Sequence, residues 1–236
     1  MHDAAQRKAV RDGRGVEVAD TPVDPACVEQ LVTPERLAPY RAACNGDLAA
    51  AVALYGWNAR VSAALWETIG YVEIIVRNAM HRHLTDWSTR VHQEPAWYLD
   101  PGGNLTWRAA QDVADARRRA TKFGTPETPG RVVAELGFGF WRYLTAVTYD
   151  RTLWRWCIYR AFPKKRRSVV QDSLASLHEA RNRCAHYEPM HNRPIGKLYE
   201  TALAVAGWIN VDARRWVASQ SRVVEHLANR PRGART

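Results

Sequence analysis

The longest regular pattern in the chain lies within residues 47–87, where Val61, Leu65, Ile69, Val72, Val76 and Met80 recur at steps of three and four and no proline interrupts. That period predicts one long amphipathic helix, or two helices broken near Gly56. Upstream, residues 1 to about 30 are polar and basic, are punctuated by Gly13, Gly15, Pro22 and Pro25, and lack a sustained apolar period. A flexible basic tail (1–30) is therefore expected before a helical domain spanning 31–230. After a loop around Pro95, Pro101, Gly102 and Gly103, either Asn104 or Thr106 is placed to cap a helix running through Trp107 and Val113 to Gly124. Beyond the Pro-rich stretch 125–130, helices are expected over 131–136, over 138–162 with a break near Tyr149 and Asp150, and over 166–186. Two more follow at 197–209 and 212–228, the second opening on Asp212 as its own cap. No alternating strand pattern of useful length intervenes, so the expected fold class is all-α, a helical bundle.

Composition fits one folded domain: 236 residues can bury a sizeable core, and 46% hydrophobic residues with ten tryptophans are too rich for a disordered chain. No stretch approaches the roughly 18 consecutive apolar residues of a membrane span, and no early segment has the layout of a secretory signal. A soluble, cytoplasmic protein with no membrane partner is the expectation. Cys27, Cys44, Cys157 and Cys184 stand far apart with no Cys-x-x-Cys pair, so neither a disulfide framework nor a zinc knuckle is written in the sequence. The formal charge of +10 attracts polyanions, and its densest clusters are Arg117, Arg118 and Arg119, and Lys164, Lys165, Arg166 and Arg167. Such runs also serve as solvated helix faces, and charge alone names no ligand.

The segment 166–186 carries the chemistry. Val170, Leu174, Leu177, Arg181 and Cys184 fall on one face, which puts Arg181 on the apolar stripe. A guanidinium keeps its proton and is costly to bury unpaired, so Arg181 needs either a carboxylate partner or a polar cleft open to an anion. Glu179, Asn182 and His186 share a neighbouring face, with Arg181 and His186 roughly 140° apart on an ideal helix. Tyr187, Glu188 and Pro189 follow, so His186 is expected at a frayed last turn where the backbone can bend its ring toward Arg181.

The run RNRCAHYEPM (181–190) resembles the RNRxAHHEP signature of Abi-like, or abortive-infection, proteins, and its Arg181 and His186 match the arginine–histidine motif of the HEPN superfamily. Three further segments occur in that family's order: YGWNARVSAALWETIGYVEIIVRNAM (55–80) with its Glu-x3-Arg-Asn element, ELGFGFWRYL (135–144), and a tryptophan-bearing helix around Trp208. Tyr187 departs from the pattern, since the family often has a second histidine there. The resemblance implies a HEPN-like bundle that forms a homodimer with two motifs facing each other, and metal-independent cleavage of RNA in phage defence or as a toxin. It also implies a cognate antitoxin or defence-system partner, and no cofactor. Chemically, such cleavage needs a base for the 2′-OH proton, an acid for the departing 5′ oxygen and a cation for the phosphorane. One chain has one histidine at the motif, so a symmetric pair supplies both base and acid.

On this reading Arg181, His186 and Asn182 are the catalytic candidates, and Glu73, Arg77, Asn78 and Glu179 support them. Lys164, Lys165, Arg166, Arg167 and Arg183 are the candidate RNA contacts. Glu73 and Arg77, four residues apart, also suit an ion pair buried in the bundle, and Asn182 suits a helix-packing amide. His81, His83, His178, His186 and His191 have no recognisable metal-ligand spacing, and Trp141, Trp154 and Trp156 suit core positions better than base stacking. The rival class is a non-cleaving RNA-binding or signalling module on the same bundle.

Overall fold

The computed structural model describes residues 23–231, which form helices and turns with no strand. Helix α1 (Pro25–Val32) starts where Asp24 accepts from the Ala26 amide at 2.9 Å, and α2 (Pro34–Ala43) starts where Thr33 accepts from that of Arg36 at 3.4 Å. Each opens on a proline, whose fixed φ and missing N–H suit a first helical turn. Pro25 therefore begins a helix inside the stretch assigned to the tail, and residues 1–22 of that stretch lie outside the described residues.

Helix α3 (Leu48–His92) is a single run of 45 residues, capped by Asp47 and ended by Gln93 in the left-handed region at φ 59°. It does not break at Gly56. Leu54, Trp57, Val61, Leu65, Ile69, Val72, Val76, Met80 and Leu84 form one continuous buried stripe, and packing along it outweighs one glycine's propensity cost of about 1 kcal/mol. Thr106, not Asn104, caps α4 (Trp107–Ala120), and α5 (Pro129–Glu135) and α6 (Phe138–Tyr143) follow.

The helix expected over 138–162 is not formed beyond Tyr143. Short turns at Val147–Tyr149, Asp150–Trp154 and Ile158–Ala161 replace it. Leu144, Tyr149, Leu153, Trp154, Cys157, Ile158 and Phe162 are all buried there, and no single helical face could bury such a set.

Helices α7 (Arg167–Ala185), α8 (Ile195–Ile209), α9 (Val211–Gln220) and α10 (Val223–Ala228) complete the fold. The expected 212–228 helix is two helices, separated where Ser221 turns extended (ψ 134°) and its hydroxyl meets that of Thr68 at 2.8 Å. Asn210, rather than Asp212, is the cap, accepting from the Asp212 and Ala213 amides at 2.6 and 3.3 Å. Helix α3 is the spine: α1, α2, α6, α7, α8, α9 and α10 all pack on it, while α4 and α5 pack chiefly on each other. No described helix is long and apolar enough to cross a membrane.

Candidate functional site

Helix α7 is held on α3 by Val170, Leu174, Leu177, Ala180 and Cys184, all buried. Its last turn is locked rather than frayed. Tyr187 adopts φ 55°, its amide donates to the Cys184 carbonyl at 3.1 Å, and the Glu188 amide donates to the Arg183 carbonyl at 2.9 Å. This is the paired hydrogen-bond pattern that closes a helix C-terminus, with a tyrosine where glycine is usual. From α2, the Arg36 guanidinium donates to the Tyr187 carbonyl. His186 is consequently the cap residue, exposed, and its ring has no hydrogen bond or ion pair among the described residues.

Arg181 sits at the edge of the apolar stripe with its side chain 38% exposed. Its Nε is 4.0 Å from Glu73 Oε2 on α3, and its Nη1 donates to Asn182 Oδ1 over a long 3.4 Å. Asn182 Nδ2 in turn lies 3.4 Å from His178 Nε2. The sequence offered a carboxylate partner or an open cleft, and Arg181 has some of each. Burial raises the Glu73 carboxyl above the usual range, against opposing pulls from Arg181, the Phe138 backbone amide and Arg77. Burial also holds His178 below the usual histidine range, reinforced by Arg142 and Arg181, which favours the neutral imidazole. A neutral Nε2 is then free to accept from the Asn182 amide, which fixes the face that Asn182 turns to Arg181.

Helix α6 reaches this group through its backbone. A Cβ at Gly139 would stand 3.2 Å from His178 Nε2, so a larger residue there would push the imidazole back by a few tenths of an ångström. The Phe138 ring packs edge-on against His178 at 5.9 Å between centroids. On the far side of His178 a polar cavity of about 330 Å³ opens, lined by Arg108, Asp112, Arg119, Glu135 and Arg142 among others. Arg142 Nε is buried there without a hydrogen-bond partner among the described residues.

The structure thus brings Glu73, Arg181, Asn182 and His178 together and leaves other predicted residues elsewhere. Glu73 pairs with Arg181 and not with Arg77, whose Nε donates to Asn78 Oδ1 at 3.3 Å. Glu179 is exposed beside a separate small cavity with Arg183, Met190 and Arg193. Lys164, Lys165 and Arg166 are exposed, and the Lys165 ammonium lies 5.1 Å from the centroid of the Trp208 ring.

Two candidate RNA contacts have partners within the chain. Arg167 is only 15% exposed, pairing with Asp150 at 3.2 Å and donating to the Thr145 carbonyl at 2.8 Å and to Gln171. Arg183 pairs with Glu188 at 3.0 Å across the helix end. Each arginine of the other cluster is likewise matched: Arg117 with Glu127, Arg118 with Asp115 and Arg119 with Glu135.

Sequence reasoning missed His178 as a neighbour of the motif, although it stands one helical turn before Asn182, and missed Arg142 altogether. Among the described residues no group of three or more His, Cys, Asp or Glu side chains is placed to hold a metal ion. Compared with protein-family models, curated proteins and solved structures, the chain matches none of them.

Proposed function

We propose that this chain is a metal-independent endoribonuclease whose Arg181 and His186 act at a site completed by a second copy. The observation that carries the reading is the state of Arg181: 38% exposed, 4.0 Å from its carboxylate and steadied by Asn182, it is oriented without being neutralised. A guanidinium so placed suits a phosphate passing to a phosphorane, where a positioned cation is worth roughly hundredfold or more in rate. His186, exposed on the same helix end, supplies proton transfer, and a partner copy is invoked because the reaction needs both a base and an acid while one chain has one histidine at the motif. Asn182, held by His178, positions Arg181. The run RNRCAHYEPM, and not the geometry, suggests a setting in phage defence or as a toxin, with a cognate restraining partner.

The test is incubation of labelled RNA and its 2′-deoxy counterpart with wild-type, Arg181→Ala and His186→Ala proteins in excess EDTA. Only RNA should be cut, leaving 2′,3′-cyclic phosphate and 5′-hydroxyl ends. Absence of cleavage by the wild type, or unchanged cleavage by folded His186→Ala, would overturn the reading.

A second reading is a non-cleaving RNA-binding or signalling module, favoured by the absence of any Arg181–His186 contact within one chain. Dilution separates the two. A shared site loses specific activity as copies dissociate, whereas RNA binding by a module depends only on its own affinity.

A further inference from the structure

Immediately beside His186 lies a second cavity, of about 360 Å³, within the range of small-molecule sites. Ala185 and Tyr187, the residues flanking His186, line one side of it, and α3 lines the other through Tyr55, Asn58, Ser62 and Trp66. Its walls are aromatic. Trp66 is 48% exposed and Tyr187 76%, so both rings present surface that no other described residue covers.

Two buried polar residues, Ser62 and Asn58, are among its lining. The Ser62 hydroxyl is closed off from solvent and lies against the Cys184 thiol, with no closer hydrogen-bond partner among the described residues. Burial pushes that thiol up to about 11, against a small opposing pull from Ser62, so it stays protonated. Asn58, 5% exposed, commits its Oδ1 to the Met190 amide at 2.8 Å, which leaves its NH₂ as a donor. Arg36, at the rim, adds a cation in a chain of net charge +10.

An occupant of the cavity can accept from the Asn58 NH₂ and must offer flat faces to Tyr187 and Trp66. From this combination we propose that the cavity holds one nucleobase of the RNA, turned out of its strand, stacked against Trp66 and Tyr187 and bonded along its edge by the Asn58 NH₂. The inference rests on the ribonuclease reading for its function, since a base held there lies beside His186 and would set which nucleotide adjoins the cut.

The test is kept separate from cleavage. Calorimetry with each of the four nucleoside 5′-monophosphates, on the full chain, should show saturable binding of at least one. Trp66→Ala, at a half-exposed position that leaves folding intact, should weaken it about tenfold, as expected for loss of a stacking partner. Tyr187→Gly, which removes the other ring at a φ of 55° that glycine adopts freely, should weaken it by a similar factor while leaving thermal unfolding unchanged or raised. In RNA cleavage, both variants should blunt the base preference at the cut.

No binding of any monophosphate at millimolar concentration, or binding unaffected by both substitutions, would overturn the proposal. So would dissociation of a dimer by Trp66→Ala in ultracentrifugation, because a second copy would then be the occupant. Monophosphate binding that behaves as expected in a protein that cuts no RNA would sink the ribonuclease reading and leave the base site standing.

Discussion

The two ends of α7 are both basic and behave in opposite ways. At the N-terminal end Arg167 is surrounded: Asp150, the Thr145 carbonyl and Gln171 use its donors, and it stitches the irregular 144–162 region to the helix. At the C-terminal end Arg181 has a distant carboxylate and one long hydrogen bond, and 38% of its side chain meets solvent. Counting charges would rank the first end above the second as a polyanion site. What separates them is the supply of acceptors within reach, since a guanidinium whose donors are used has little left for a phosphate.

The strongest way to break this comparison is to exchange the phenotypes. Arg181→Ala and His186→Ala should each reduce RNA cleavage by roughly hundredfold or more. Arg181→Ala should lower stability by less than about 1 kcal/mol, because its pair is long and half-exposed. A large fall in melting temperature, with cleavage lost only in proportion to unfolding, would make Arg181 another Arg167.

Arg167→Ala should do the converse. Losing a largely buried pair, discounted because Asp150 is 39% exposed, should cost about 2–3 kcal/mol and lower Tm by roughly 5–10 °C. Specific activity of the folded fraction should be retained.

A smaller effect reads the electrostatics directly. His178 should titrate below 6.5 by NMR, and Arg181→Ala, which removes one of the cations holding it down, should move it upward. Because the folded pKa is depressed, the unfolded chain takes up the proton first as pH falls. The His178 contribution to stability is therefore intact above 6.5 and lost between 6.5 and the folded value. An unmoved titration in Arg181→Ala would mean that the two groups are not coupled.

Smallest of all, Arg118→Ala should change stability by no more than about 0.5 kcal/mol, since its pair with Asp115 is an exposed one. Chemical denaturation would check it.

Long helices with a clean apolar period were legible in the sequence, and α3 and α7 follow it closely. The approach of Glu73 to Arg181 was not, since the four-residue spacing of Glu73 and Arg77 suggests a pair within α3 instead. The 138–162 region was not legible, because its buried residues point in every direction and their order is set by tertiary contacts. The partners of Arg167 were not legible for a related reason: Asp150 and the Thr145 carbonyl are remote in sequence and meet it only after the chain folds back. Asn210 and Asp212 are equally good caps by residue type, and only the backbone break decides between them. The cavity beside His186 draws its walls from α3 and from the end of α7, more than 100 residues apart, so no local pattern announces it.

The length of α3 has a consequence for how the protein opens. At 45 residues it runs roughly 68 Å, and most of the other helices lean on it. Amide exchange in its central turns can then occur only when nearly everything else has detached, so those amides should report global unfolding. The α4–α5 pair, leaning chiefly on itself, is free to exchange through smaller openings. Since Arg108 and Arg119 of that pair line the cavity next to His178, such openings would uncover the flank of the Arg181 group while the spine stays folded.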